Sequence, residues 1–111
     1  MVRVRPITLL VICLVVSSAA SAANGPQGLY AAARAREQAL RTAMDADAPA
    51  VTLTDVRAVV TAYRAVTRRY PGSAYSDDAL WLAARLSFDA FDRFGDVRDK
   101  NTAVGLLRFL V

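Results

Sequence analysis

Histidine is absent from the 111-residue sequence, and cysteine, glutamate and lysine each occur once. Without histidine, the chain cannot form an imidazole-based zinc site or the serine–histidine pair that activates many hydrolases. The single lysine, Lys100, stands alone, and the five glycines are too scattered to form a phosphate-binding loop. The sequence therefore predicts no catalytic residue, no metal site and no cofactor in this chain.

The N-terminus has the three-part order of a secretory signal peptide. Arg3 and Arg5 form a short basic region, residues 7–16 are apolar except for one threonine, and residues 17–23 are all small. A basic start, an apolar core and a small-residue end are what the export machinery and signal peptidase require. The sequence predicts a signal peptide over residues 1–22.

Two adjacent cleavage sites satisfy the small-residue rule, one after Ala22 and the other after Ala23. An uncleaved anchor is disfavoured because a membrane span needs about 20 mainly apolar residues, roughly twice the length of this core. A lipoprotein is disfavoured because the bulky Ile12 precedes Cys13, which itself lies inside the apolar core. We expect an exported protein, periplasmic or in the cell envelope, that meets the membrane only through its signal peptide before cleavage.

Removal of the signal peptide changes both the charge and the cysteine content of the chain. Two of the fourteen basic residues, Arg3 and Arg5, and the only cysteine are lost with it. The mature chain is then only slightly basic, and its arginines alternate with acidic and apolar residues instead of forming the dense stripe of a nucleic-acid binder. The loss of the only cysteine excludes a disulfide scaffold, and the scattered arginines argue against nucleic acid as a partner.

Apolar residues recur at three-to-four spacing through the mature chain, which predicts an all-α fold. Thr54 and Ser76 are the expected N-caps of the second and third helices, and Asp96 or Asp99 of the fourth. The predicted segments are a linker over 23–28 and helices over 29–45, 54–70, 77–94 and 102–111. The third helix is apolar on nearly every side, which predicts burial between its neighbours.

The paired acids Asp77 and Asp78 lie where a helix begins, so stabilisation of the helix start explains them better than a general acid/base pair does. A possible partner-contact surface lies on the groove side of the helices. Its candidate residues are Tyr63, Tyr75, Trp81 and Arg85. The alternative is that these side chains pack in the core or between helical pairs.

The predicted helices form two antiparallel hairpins separated by Tyr70 and Pro71, a pattern typical of tetratricopeptide-like repeats. The long link over 45–53 departs from a regular repeat. Residues 70–83 resemble the inter-repeat segment of bacterial envelope tetratricopeptide proteins such as the outer-membrane barrel-assembly lipoprotein and the Tol-Pal coordinator. Together with 90–96 and 106–111, they most resemble the N-terminal helical region of exported N-acetylmuramoyl-L-alanine amidases.

This resemblance covers residues 29–111 and implies a role beside a zinc-dependent domain that cleaves the amide between muramic acid and the peptide stem. The zinc-binding histidines and glutamate of such a domain have no counterpart here, because the chain lacks histidine and Glu37 is its only glutamate. The chain would then be a non-catalytic module that contacts a protein or peptidoglycan. The alternative is a self-contained periplasmic tetratricopeptide adaptor or envelope-assembly protein.

The last residues, Leu110 and Val111, lie within an apolar helical pattern. This ending predicts that the sequence is truncated at its C-terminus. A histidine- and glutamate-rich domain farther along the reading frame would favour the amidase, whereas further helical pairs would favour the adaptor.

Overall fold

Four α-helices make up most of residues 25–46 and 51–111, the parts of the chain that the computed structural model describes. Within those ranges there is no β-strand, so the predicted all-α class is confirmed. The helices are α1 (Pro26–Asp45), α2 (Leu53–Arg69), α3 (Ser76–Phe94) and α4 (Val97–Arg108).

The predicted signal peptide over 1–22 lies outside the described residues, as do the cleavage sites after Ala22 and Ala23. No helix within 25–46 or 51–111 combines the length and the apolar character needed to cross a membrane.

The first helix begins at Pro26, three residues before its predicted start, so the predicted linker over 23–28 is helical in its second half. Proline suits the first turn of a helix because its fixed φ matches the helical value and its missing N–H has no partner there in any case. The carbonyl of Gly25 accepts the first turn's hydrogen bond from the Leu29 amide at 2.9 Å. The second half of the predicted linker therefore starts a helix.

The second helix is capped by Thr52, and the predicted cap at Thr54 is wrong. The Thr52 hydroxyl accepts a hydrogen bond from the Asp55 amide at 3.3 Å, and the Asp55 carboxylate accepts one from the Thr52 amide at 2.9 Å. This reciprocal capping box needs an acceptor side chain three residues after the cap, a spacing that Thr52 and Asp55 provide.

The predicted starts of the last two helices also need correction. Ser76 is the first residue of α3 and does not cap it, because its buried hydroxyl donates to Thr67 of α2 at 3.2 Å. The fourth helix starts at Val97, five residues before the predicted segment over 102–111. Asp96, one of its two predicted caps, does cap it and accepts from the Arg98 amide at 3.0 Å. After Val97 the next five residues are polar, so the apolar period that marks a helix becomes visible only later in the sequence.

Each helix packs mainly against its neighbours in sequence, so α2 lies between α1 and α3, and α3 lies between α2 and α4. The end of α2 contacts the start of α3 through Thr67 and Ser76, as expected for antiparallel neighbours. Gly95, in the left-handed region at a φ of 77°, ends α3 and permits the sharp turn into α4. The chain is a continuous stack of helices, with α2 packed against α3 as well as against its hairpin partner α1.

The core is built largely from valines of α2 and from alanines and leucines of α3. The prediction that α3 is buried between its neighbours is confirmed for its alanines and leucines and is wrong for its aromatic residues. Trp81 is 49% exposed and Phe94 is 36% exposed, while Phe88 and Phe91 are only partly buried. Small side chains let α3 approach its neighbours closely, whereas its aromatic rings keep part of their surface exposed.

Replacement of Thr52 by alanine should lower the free energy of unfolding by about 1 kcal/mol, because the Asp55 amide loses its acceptor. The matched control is Thr54→Ala. Thr54 is an exposed threonine two residues after Thr52, and it does not cap the helix. Urea unfolding followed by far-UV circular dichroism measures both. Equal destabilisation by the two substitutions would contradict the assignment of the cap.

Candidate binding groove between α1 and α3

The four residues predicted as a partner surface do not lie together. Tyr63 has no exposed surface and belongs to the core, so it cannot contact a partner. Tyr75 is partly buried against the ring of Tyr30, with 5.2 Å between the ring centroids. Trp81 and Arg85 are exposed and lie one turn apart on the same face of α3.

Tyr63 is held inside the molecule by a hydrogen-bond network around Glu37 of α1. Glu37 is only 6% exposed, and its carboxylate accepts hydrogen bonds from the Tyr63 hydroxyl and, at 2.7 Å, from Nε of Arg41. The other arm of the Arg41 guanidinium donates to the carboxylate of Asp89 on α3 at 2.9 Å. The network therefore joins α1, α2 and α3.

Burial raises the pKa of the Tyr63 hydroxyl, and its hydrogen bond to Glu37 raises that pKa further. Both effects disfavour the phenolate, the first by desolvation and the second by placing a carboxylate beside it. Tyr63 consequently remains a hydrogen-bond donor to Glu37 throughout the physiological pH range.

An open pocket of about 230 Å³ lies above this network, between α1 and α3. We call it the arginine pocket, and its lining residues are Arg34, Glu37, Gln38, Arg41, Leu82 and Arg85. Arg34 and Arg85 are exposed and form no ion pair with any carboxylate of the described residues. The arginine pocket thus offers two guanidinium groups that a ligand can reach.

A second ionic network joins α2 to the start of α4. Arg57 binds the Asp99 carboxylate with two hydrogen bonds of 2.9 and 2.8 Å and also donates to Asp96 at 3.0 Å. Asp99 is only 5% exposed, so this bidentate pair supplies the partner that a buried carboxylate requires. Asp96 also accepts from the Arg98 side chain, at 2.7 Å. Asp96 and Asp99 therefore hold the start of α4 against α2.

No group of acidic, histidine or cysteine side chains within 25–46 and 51–111 is arranged to hold a metal ion. Asp77 and Asp78 are exposed in the first turn of α3, where carboxylates stabilise the helix start. Comparisons with family models, with curated proteins and with solved structures found no match to this chain.

The arginine pocket was not predicted from the sequence, although a signal for it was present. Glu37 occupies a position on the otherwise apolar stripe of α1, with Arg34 three residues before it and Arg41 four residues after it. These are the spacings at which helical side chains meet. An acid on a core-facing stripe between two such arginines indicates a buried ion pair, but the contribution of Arg85 from another helix cannot be inferred from spacing.

Tyr63→Phe should lower the free energy of unfolding by about 1–2 kcal/mol, because buried Glu37 loses a hydrogen-bond donor while the ring volume is kept. Tyr30→Phe is the matched control, since the Tyr30 ring packs in the same aromatic group and its hydroxyl makes no hydrogen bond within the described residues. Chemical unfolding measures both variants. A loss in Tyr30→Phe as large as in Tyr63→Phe would contradict a specific role for the Glu37 hydrogen bond.

Asp96 should make folding sensitive to acid. The hydrogen bond from the Arg98 side chain, then that from the Arg98 backbone amide, hold the pKa of Asp96 well below its ordinary value in the folded chain. A lowered folded pKa stabilises the protein above the ordinary aspartate pKa of about 3.9, and this stabilisation is lost as the pH falls below that value.

Asp96→Asn should retain the cap, because asparagine is also a good N-cap, and should reduce the loss of thermal stability between neutral pH and pH values below about 4. Asp92→Asn is the control, because Asp92 is exposed and outside the ion pairs of the described chain. Melting temperatures across this pH range give the answer. An unchanged acid-induced decrease in Asp96→Asn would show that Asp96 does not contribute to it.

Proposed function

We propose that this chain is an exported, non-catalytic helical module that makes protein or cell-wall contacts as the N-terminal part of a peptidoglycan amidase. The observation that carries the proposal is the groove between α1 and α3, where the arginine pocket lies beside the exposed face of Trp81 and Arg85. Exposed tryptophan and arginine side chains are enriched among residues that dominate binding energy.

Export is supported by the order of basic, apolar and small residues at the N-terminus. The link to amidases is supported by the resemblance of residues 70–83, 90–96 and 106–111 to the helical region that precedes the zinc domain of those enzymes. In this proposal the zinc domain belongs to another part of the parent protein, and the helical module positions that domain on its target.

A self-contained periplasmic adaptor with a tetratricopeptide-like fold is the second candidate. It is favoured by the continuous packing of α2 against α3, which gives the stack a repeat-like character, and by a second exposed apolar surface on α4. That surface includes Val104, which is 37% exposed, and Phe109, which is 79% exposed just after the helix. An adaptor that joins two proteins needs two such surfaces, whereas a positioning module needs one.

The contact function is tested in two assays on the mature chain. The first measures retention on purified peptidoglycan sacculi at low salt. The second is photo-cross-linking in cells from a photoreactive residue at position 81. We expect contact in at least one assay. In the sacculus assay, Trp81→Ala should reduce retention by about fivefold, because an exposed indole is a typical anchor. Phe94→Ala is the matched control, because it removes an exposed aromatic ring of the same helix outside the arginine pocket.

Absence of contact in both assays would contradict the proposal, as would equal effects of Trp81→Ala and Phe94→Ala on retention. Sequence farther along the reading frame separates the two candidates. A histidine- and glutamate-rich domain there selects the amidase, and a further series of helical pairs selects the adaptor.

A further inference from the structure

The arginine pocket has cationic walls above a buried carboxylate that is already hydrogen-bonded. Its floor is the Glu37 carboxylate, whose hydrogen bonds from Tyr63 and Arg41 are already in place. Its walls carry Arg34 on α1 and Arg85 on α3, which face the same cavity from two different helices. Arg41 completes the set, but its guanidinium is already shared between Glu37 and Asp89.

The charge of the pocket indicates which kind of ligand it accepts. The guanidinium groups of Arg34, Arg41 and Arg85 face two carboxylates, Glu37 and the Asp89 bound to Arg41, so the group carries one net positive charge. One monoanionic carboxylate neutralises it. A phosphate dianion would exceed this charge and would also lie close to Glu37, which repels it more strongly than it repels a carboxylate.

The surroundings of the pocket favour a peptide over a free anion. Leu82 supplies an apolar wall, and Trp81, which is 49% exposed, lies one turn from Arg85 on the same helix. A guanidinium group binds a carboxylate through two parallel hydrogen bonds, and an indole beside it offers a flat apolar surface to a neighbouring side chain. An acidic residue next to an apolar one matches both features.

We propose that the arginine pocket binds the side-chain carboxylate of an acidic segment in a partner protein, with Arg34 and Arg85 as donors and Trp81 in contact with an adjacent apolar side chain. This assignment rests on the proposed contact function and names the ligand of the same groove. It makes Arg34 and Arg85 binding residues, whereas Glu37 and Tyr63 position the α1 side of the pocket.

The test is a nuclear magnetic resonance titration of the mature chain, with the arginine Nε–H signals as the readout. The probe is an acetylated and amidated hexapeptide that has one glutamate beside one leucine, and its twin has glutamine in place of glutamate. The glutamate peptide should shift the signals of Arg34 and Arg85, and the glutamine twin should not. Arg34→Gln or Arg85→Gln should each weaken binding of the glutamate peptide by about tenfold.

Matched controls are Arg36→Gln on α1 and Arg93→Gln on α3, which remove the same charge from exposed arginines of the same helices outside the pocket. These variants should bind the glutamate peptide as the unmodified chain does. Equal weakening by pocket and control variants would indicate general charge attraction and would overturn the assignment, as would equal binding of the glutamine twin.

Two further arms distinguish other ligands. Inorganic phosphate that binds more tightly than the glutamate peptide would overturn the choice of a carboxylate, and soluble wall fragments that displace the peptide at lower concentration would assign the pocket to the cell wall instead of a protein. If the titration fails while contact through Trp81 persists in cells or on sacculi, the pocket assignment is wrong and the contact function stands. If the titration succeeds while both contact assays fail, the contact function is wrong and the pocket stands.

Discussion

Glu37 is a carboxylate that is 6% exposed in a small stack of helices, and the arrangement of its neighbours follows from that burial. An ionised group withdrawn from water costs several kcal/mol unless hydrogen bonds and an opposite charge replace its hydration. Tyr63 from α2 and Arg41 from α1 supply these, and Arg41 in turn binds Asp89 of α3. A sliding of any of the three helices would separate at least one of these pairs, so the network selects their register.

The same network determines where the polar surface of the groove lies. Because Arg41 is committed to Glu37 and Asp89, it draws α1 and α3 to the positions from which Arg34 and Arg85 face one cavity. The residues that stabilise the stack thus lie next to the residues available to a ligand, and Arg34 interacts with Tyr63 of the network. The anion binding that we propose leaves intact the Arg41 ion pairs that join α1 and α3.

The small side chains of α3 determine where its aromatic residues lie. The alanines of α3 have no exposed surface, whereas Trp81 is half exposed. Close packing against α2 and α4 leaves no room for an indole on the inner faces, since protein interiors are filled almost without voids. The surface that we assign to partner contact therefore results from the way α3 packs on both sides.

The sequence by itself determined the all-α class and the approximate positions of the helices, because helical periodicity and breakers such as Pro71 and Gly95 are local properties. It was less reliable at helix starts. The capping-box spacing of Thr52 and Asp55 is present in the sequence, but the prediction placed the cap at Thr54, directly before Asp55. Ser76 likewise resembles a cap in the sequence, and only the packing of α2 against α3 shows that its hydroxyl donates to Thr67.

The candidate site depended on tertiary structure for a similar reason. The sequence suggested Tyr63, Trp81 and Arg85 as contact residues alike. Periodicity shows which residues of a helix share a face, but it does not show whether another helix covers that face. The burial of Tyr63 was therefore decided by packing. The arginine pocket brings together residues about fifty positions apart. Sequence placed Arg34 and Arg41 beside Glu37 on one helix, and only the packing of α3 against the stack added Leu82 and Arg85.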